Sequence, residues 1–258
     1  MPKFAANLSM LFNEMPFMER FAAAAQAGFK GVEYLFPYAY PAEQLAEQLA
    51  QQGLQQVLFN GPPGNWEAGE RGLAAVPGRE QEFQENFGKA IEYAKVLNCP
   101  RIHVMAGIVA EGTDIEEAFD TYLTNLGFAA EQCAAAGLDA LIEPINSRDI
   151  PGFYLNNSTM ATAIIDELQQ PNLKLQLDLY HCQIMEGDLA MHLRNLKNYV
   201  GHIQIAGVPE RHEPDIGEIN YPYLFKLIDE LAYDVWIGCE YRPRGDTVAG
   251  LSWFEGWR

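Results

Sequence analysis

Four side chains with oxygen donors occupy similar places along the second half of the chain, namely Glu143, Asp178, Gln204 and Glu240. Each stands at or near the end of a short segment of β type, and about one strand and one helix separate it from the next. In a sheet of parallel strands, this periodicity brings such ends to one edge. We therefore expect the three carboxylates and the amide to share one site.

Three carboxylates gathered in a space of low dielectric repel one another unless they are protonated or a cation neutralises them. A divalent metal is the simplest solution, and oxygen ligands without any thiolate favour Mg2+ or Mn2+ over a structural zinc. Taken singly, each carboxylate is more typical of an exposed or salt-bridged strand end. Their recurrence at four equivalent ends is what predicts metal ligands.

The alternation of side chains along these segments indicates which of them face inward. In LKLQLDLYH the leucines form one apolar set, which leaves Gln176 and Asp178 on the opposite face. The same reasoning turns Gln204 of GHIQIAG inward. Glu143 and Glu240 can adopt this direction as well, so all four predicted ligands point into one lumen.

Eight such segments run along the chain, separated by longer stretches with helical spacing, which is the pattern of repeated βα units. With no break in composition, this pattern favours a closed (β/α)8 TIM barrel of the α/β class over an open doubly wound sheet. We expect a single domain over residues 1–258. Glycines at 28, 53 and 137 follow predicted helices, where glycine commonly ends a helix. The predicted strands span residues 4–10, 31–36, 55–60, 101–106, 139–144, 173–178, 201–206 and 234–240.

One connection is much longer than the others: residues 61–80, GPPGNWEAGERGLAAVPGRE, follow the third strand. Long loops inside a compact domain usually contribute to function. A disordered excursion is the alternative, and Trp66 and Leu73 make it less attractive because apolar side chains favour packing.

Composition restricts the partners of the protein. The formal net charge of −18 would repel a phosphate backbone, so we expect no nucleic-acid partner. No segment reaches the roughly 18 apolar residues of a membrane span, and no signal peptide is recognisable, so we expect a cytoplasmic protein with no membrane partner. The four cysteines form no CxxC pair and are expected to be free and buried. A homo-oligomer is compatible with the sequence, which leaves the oligomeric state open.

Motifs along nearly the whole chain are similar to those of a known family: FAANLSMLF, GVEYLFPYAYP, GERG, IEPIN with DIPGF, LDLYH, GHIQIA, GEINYPYLFK and GCEYRP. They resemble the hydroxypyruvate isomerase family of xylose-isomerase-like barrels. The resemblance implies a metal-dependent enzyme that shifts the carbonyl of a small anionic sugar acid to the neighbouring carbon. It favours a four-carbon oxo acid as the substrate, with three-carbon hydroxypyruvate as the alternative.

The resemblance also implies that Glu143 and Glu240 are catalytic acid/base residues as well as metal ligands, and that Asp178 and Gln204 complete the metal site. Moving a carbonyl through an enediol requires the removal and return of a proton, and two flanking carboxylates can exchange these roles. Sugar epimerases of the wider group typically carry histidine at the position of Gln204. The loop at residues 147–148 is a place where preference for three or four carbons can arise.

The substrate carboxylate needs a cation, and two arginines are candidates: Arg211, after the seventh strand, and Arg71, in the long third loop. The sequence does not rank them. His181 is a candidate for binding a substrate hydroxyl, and His103 and Glu33 are candidates for lining the floor of the site. For these three, a structural role is an equal alternative.

Two other functions remain open at this stage. A metal-dependent endonuclease on the same type of barrel would also place carboxylates at strand ends, although the net charge and the lack of a histidine-rich site argue against it. A non-catalytic sugar-acid-binding protein is the second, because a fold alone does not establish activity. Paired glutamates on a metal would be unnecessary for binding alone.

Overall fold

The computed structural model describes residues 1–257 and forms a closed barrel of eight parallel strands in chain order, with the first strand paired to the last. The strands are β1 (Lys3–Asn7), β2 (Gly31–Tyr34), β3 (Gln55–Asn60), β4 (Arg101–His103), β5 (Asp139–Ile142), β6 (Leu173–Asp178), β7 (Val200–Ile205) and β8 (Trp236–Cys239). The TIM barrel prediction is confirmed. Several strands end earlier than expected; β5, for example, stops before Pro144, which has no N–H to donate to a ladder.

Helices cover the outside of the barrel: α1 (Arg20–Gln26), α2 (Ala42–Gln52), α3 (Glu80–Leu97), α4 (Ile115–Ala135), α5 (Ser158–Leu168), α6 (Leu179–Met185), α7 (Leu189–Asn195) and α8 (Tyr221–Glu230). Their apolar residues recur every three or four positions, as in α3, where Phe83, Phe87 and Ile91 are buried. Gly53 ends α2 at a φ of 63°, and Gly28 and Gly137 also have positive φ just past α1 and α4. The predicted helix ends are therefore confirmed.

The buried apolar residues form two clusters. The larger one fills the layer between the strands and the helices. The smaller one lies in the lumen and consists of Ala5, Val57, Leu58 and Leu141, with Trp236 packed against them. We call these five residues the floor cluster, because Glu143 and Glu240 lie further along the strands toward their carboxyl ends.

The cysteines agree with the prediction made for them. All four cysteines are buried and free. Burial raises the pKa of the Cys99 and Cys133 thiols to about 12. Among residues 1–257, no helix is long and apolar enough to cross a membrane.

The long third loop is ordered and packs against the loop that follows β4. Leu73, Ala74 and Ala75 are buried, and Gly72 forms an antiparallel bridge with Ala106. The Ala75 N–H donates to the Ala106 carbonyl at 2.7 Å. Gly72 has a φ of 115°, and a Cβ there would lie 2.3 Å from the Met105 carbonyl oxygen, so only glycine fits. A disordered excursion is therefore excluded.

Candidate active site

A cavity of about 450 Å3 opens at the carboxyl ends of the strands. Six of the predicted site residues line it: Arg71, His103, Glu143, His181, Arg211 and Glu240. The other three, Glu33, Asp178 and Gln204, do not line it and are almost completely buried. The barrel thus gathers the predicted residues at one mouth, where sites of this fold lie.

Glu143 follows β5 and faces two histidines rather than a close hydrogen-bond donor. Its carboxylate oxygens lie 3.5 Å from His103 Nδ1 and 3.8 Å from His181 Nε2. Burial raises the pKa of Glu143 well above its usual value, and the charges of Glu240 and Asp178 raise it further. Burial and the neighbouring carboxylates therefore favour the protonated form of this group.

Asp178 ends β6 and begins α6, where its Oδ1 accepts the Tyr180 N–H at 2.7 Å. Its Oδ2 lies 3.5 Å from both His181 Nε2 and Arg211 Nη2. Burial raises the pKa of Asp178 to about 6, against the opposing charge of Arg211. Ligand atoms of Glu143, Asp178 and His181 all lie within 4.8 Å of one another, a spacing that a single ion can bridge.

Glu240 follows β8 and accepts hydrogen bonds from three side chains. Its Oε1 accepts Arg211 Nη2 at 2.8 Å, and its Oε2 accepts Asn7 Nδ2 at 3.0 Å and Gln204 Nε2. Burial raises the pKa of Glu240 to about 8 even though Arg211 opposes this, and the charges of Glu33 and Asp178 push in the same direction as burial. Glu240 can therefore exchange a proton near neutral pH.

Gln204 differs from the other predicted ligands because its amide oxygen points away from the carboxylates. Its Nε2 donates to Glu33 Oε1 at 2.8 Å and to Glu240, whereas its Oε1 accepts Gln176 Nε2 at 2.6 Å. In the ladder, Gln204 pairs with Asp178 and with Gly238, so Glu240 lies one inward position beyond it. The four predicted ligands therefore share one region but not one level.

A buried network lies beneath Glu240 and is centred on Glu33. The Glu33 carboxylate accepts Asn7 Nδ2 at 3.1 Å and lies 2.7 Å from His202 Nε2. A Cβ on Gly238 would lie 2.3 Å from both Glu33 oxygens, so this glycine makes room for the carboxylate. Glu33 was expected to line the floor of the cavity; it instead supports Gln204 from behind. Asn7 was not predicted, although it ends β1 as the predicted residues end their strands.

Both histidines of the cavity are neutral. Burial lowers the pKa of His103 to about 3, and its Nδ1 lies 3.2 Å from Asn60 Oδ1. Burial also lowers the pKa of His181 well below its usual value, and Arg211 adds to this effect. The backbone N–H of Asn146 donates to His181 Nδ1 at 3.3 Å. Since an N–H can only donate, the ring proton of His181 is on Nε2, where it faces Asp178 and Glu143.

The two candidate arginines have different surroundings. The Arg211 guanidinium contacts Glu240 and Asp178 and lies 4.8 Å from the Tyr180 ring centre. Burial opposes its charge, but the carboxylates of Glu240, Asp178 and Glu143 outweigh burial and raise the pKa of Arg211. Arg71 contacts residues of the third loop instead, the Trp66 and Glu70 carbonyls and the Trp66 ring.

The structure adds residues to the cavity that sequence reasoning did not find. Trp66 from the third loop and Arg242, two residues past Glu240, both line it. The loop at residues 147–148 does not contribute to the lining, whereas Asp149 and Ile150, which follow it directly, do. A possible signal for Arg242 was its place after a strand end, the rule that identified Glu240.

Comparisons with known proteins confirm the resemblance seen in the motifs. A family model described as xylose isomerase-like TIM barrel matches residues 21–257. The chain is 58% identical to 2-oxo-tetronate isomerase of Cupriavidus necator, over 99% of this chain and 98% of that protein. It is 46% identical to hydroxypyruvate isomerase of Escherichia coli, over 100% of both chains.

Solved structures agree on the fold. A structure described as AP endonuclease, family 2, from Brucella melitensis has a TM-score of 0.98 and 50% identity, with 100% of both chains covered. D-psicose 3-epimerase from Clostridium cellulolyticum H10, solved with D-tagatose, has a TM-score of 0.77 and 18% identity over 99% of this chain and 90% of that one, which shows a shared fold alone. The chain belongs to the xylose isomerase-like TIM barrel family, and its relatives include 2-oxo-tetronate and hydroxypyruvate isomerases.

Proposed function

We propose that this protein is a metal-dependent isomerase that interconverts 2-oxo-tetronate and 3-oxo-tetronate. Its relatives make it an isomerase of the intramolecular oxidoreductase class. The alternative substrate is hydroxypyruvate, which an isomerase of this kind converts to tartronate semialdehyde. The relative with 58% identity supports the four-carbon acid, and the one with 46% identity supports the three-carbon acid.

The observation that carries the proposal is the pair Glu143 and Glu240, two buried carboxyl groups that line one cavity and have raised pKa values. They follow β5 and β8, which are separated by two strands in the closed barrel, so they approach the cavity from different directions. A general acid or base works best when its pKa lies near the operating pH. One glutamate can therefore remove the proton from the hydroxyl-bearing carbon while the other returns a proton to its neighbour.

The residues present fit a divalent cation. The carboxyl groups of Glu33, Glu143, Asp178 and Glu240 are buried together, and of these Arg211 contacts Asp178 and Glu240. Glu143, Asp178 and Glu240 would hold the ion with Gln204, and their oxygen atoms favour Mg2+ or Mn2+. When bound, the ion supplies Lewis-acid polarisation of the substrate carbonyl.

Gln204 needs its amide oxygen, rather than its nitrogen, on the side of the ion. In the structure its Nε2 donates to Glu33 and Glu240, and its Oε1 accepts Gln176 Nε2. A half-turn of the amide exchanges oxygen and nitrogen, and an ion bound there would replace the two contacts that the nitrogen makes to the carboxylates.

His181 fits a different role from the four ligands. With its proton on Nε2, the ring offers a donor to the cavity rather than a lone pair. Asn146 fixes this tautomer from the other side of the ring. His181 therefore donates a hydrogen bond to a substrate oxygen, as the sequence suggested.

The name of the Brucella melitensis structure supports a second candidate, cleavage of DNA at abasic sites. The net charge of −18 opposes it, because affinity for DNA depends on clustered positive charge. The isomerase proposal therefore expects no cleavage of a duplex with an abasic site, with either Mg2+ or Mn2+ present.

Solvent exchange tests the proposed reaction directly. The protein is incubated in D2O with 2-oxo-tetronate, and separately with hydroxypyruvate, in the presence of Mg2+ or Mn2+, and deuterium uptake is followed by NMR. We expect uptake with the wild-type protein and its loss in Glu240→Gln. Glu213→Gln is a matched control, because Glu213 is a buried glutamate outside the cavity lining. No uptake with either acid would refute the isomerase proposal.

A further inference from the structure

Arg71 is held in a fixed position at the wall of the cavity. Its Nη1 donates to the carbonyl oxygens of Trp66 and Glu70 at 3.0 and 2.7 Å. Its guanidinium carbon lies 3.8 Å above the centre of the Trp66 ring. Both hydrogen bonds use one nitrogen, so within the described residues the edge formed by Nε and Nη2 has no protein acceptor.

Trp66 and the residue that follows Arg71 are themselves held by packing contacts. The Trp66 ring makes an edge contact with Phe36, with ring centres 5.1 Å apart. Gly72, the next residue after Arg71, is bridged to Ala106 and is in close contact with the Met105 backbone. A guanidinium held in this way loses little freedom when a ligand binds, which favours affinity.

Arg211 is not available in the same way. Its Nη2 donates to Glu240 and lies near Asp178, and its Nη1 lies 3.8 Å from Asp149. These carboxylates already neutralise its charge at the place where the proton transfer is proposed. A substrate carboxylate placed there would add another negative charge to the buried acidic group.

Arg242 is the third arginine of the cavity and serves as a comparison. It is exposed, and its side chain has no hydrogen bond or ion pair among the described residues. An unsupported side chain loses more conformational entropy when it binds a ligand than a stacked one does. Of the three, Arg71 alone combines a free planar edge with a fixed position.

We propose that Arg71 binds the carboxylate of the substrate through its Nε and Nη2 edge, with Trp66 as the residue that positions it. This inference rests on the proposed function, since it names the residue that binds the carboxylate of that substrate. A planar guanidinium edge matches the two oxygens of a carboxylate, so the contact is bidentate. It orients the substrate with the carboxylate at the third loop and the reacting carbons toward Glu143 and Glu240.

Binding and turnover are measured with Arg71→Gln, Arg71→Lys and the control Arg194→Gln, which changes an exposed arginine of α7 outside the cavity lining. For Arg71→Gln we expect KM for 2-oxo-tetronate, and its Kd from calorimetry, to rise about tenfold or more, since a charge-assisted bidentate contact is lost. We expect kcat to change less than about threefold. Arg71→Lys keeps the charge without the planar two-nitrogen edge and should fall in between, whereas Arg194→Gln should stay within about threefold of wild type.

A neutral ligand separates carboxylate recognition from general damage to the site. Erythrulose carries a hydroxymethyl group in place of the carboxylate of 2-oxo-tetronate. Its Kd should be the same for wild type and Arg71→Gln, and Trp66→Leu should weaken binding of the acid but not of erythrulose. Circular dichroism melting curves check that each variant folds.

The outcomes distinguish this inference from the proposed function. If Arg71→Gln binds and turns over the acid as well as wild type does, the role of Arg71 is refuted while the isomerase proposal stands. If wild type binds the acid through Arg71 but shows no deuterium uptake, the isomerase proposal fails and the carboxylate contact stands. If wild type binds neither 2-oxo-tetronate nor hydroxypyruvate, both are refuted.

Discussion

Leu141 in β5 and Glu143 just after it show how differently the two halves of the lumen are built. Leu141 belongs to the floor cluster and is completely buried among apolar side chains. Glu143, two positions further, is buried among like charges, which raise its pKa together with burial. The floor cluster therefore stabilises the fold, whereas the carboxyl groups at the carboxyl ends of the strands are not needed for folding. Departures from good packing of this kind are expected at functional sites.

The largest expected effect comes from Glu143→Gln. Turnover, measured as deuterium uptake, should fall by about 10² to 10⁴-fold, which is the usual contribution of a general acid or base. The free energy of unfolding without metal should stay unchanged or rise, because a neutral amide costs less to bury than a carboxylate. Urea unfolding measures this. A loss of more than about 1 kcal/mol would show that Glu143 stabilises the fold and would break the contrast with Leu141.

Leu141→Ala, in β5, should affect stability rather than turnover. We expect the free energy of unfolding to fall by about 2 to 5 kcal/mol, because the truncation leaves a cavity in a closely packed cluster. Turnover per folded molecule should change little, since the cavity lining does not include Leu141. Urea unfolding and the exchange assay on one preparation give both numbers. A large drop in turnover with an unchanged free energy of unfolding would show that the floor cluster contributes to the reaction and would contradict this contrast.

A divalent cation bound by the carboxylates should raise the free energy of unfolding, and this increase should not depend on the floor cluster. At a concentration of Mg2+ or Mn2+ about 100 times its Kd, the free energy of unfolding should rise by about 2.7 kcal/mol. Leu141→Ala should show the same increase from its lower starting value, and Asp178→Asn a much smaller one. Thermal melting with and without EDTA measures the change. An equal increase in Asp178→Asn would place the cation elsewhere.

The smallest expected effect tests how tightly the floor is packed. A Cβ on Gly201 would lie 2.8 Å from Lys174 Cβ and 3.0 Å from a Leu141 methyl, so Gly201→Ala should cost about 1 to 3 kcal/mol. Gly88 is the control, because it lies on the exposed face of α3 with nothing within 4 Å of an added Cβ. Gly88→Ala should raise stability by about 0.5 to 1 kcal/mol. Urea unfolding of both variants should therefore give opposite signs.

The sequence predicts the barrel well because each βα unit carries its own local signal. Alternation marks the strands, glycine marks the ends of α2 and α4, and the strand ends locate Glu143 and Glu240. The position of the predicted site residues at or behind one mouth follows from this local information.

Contacts between distant parts of the chain carry no such local signal. Glu33 and His202 are 169 residues apart, and only closure of the barrel brings them together. The direction of the Gln204 amide depends on Gln176 and Glu33, which spacing does not reveal. Arg211 reaches Glu240 from a loop in which its own φ is 59°, a conformation that residue type alone does not indicate.

The close approach of Gly72 to the Met105 backbone affects how fast a substrate is captured. A loop tied down by a bridge to Ala106 does not have to fold over the ligand, so binding involves no slow closing step at this wall. The association rate is then governed by diffusion and by the orientation of the acid, and differences among ligands appear mainly in their dissociation rates. We therefore expect association without a slow closing phase at this wall, because one glycine lets the third loop lie against the Met105 backbone.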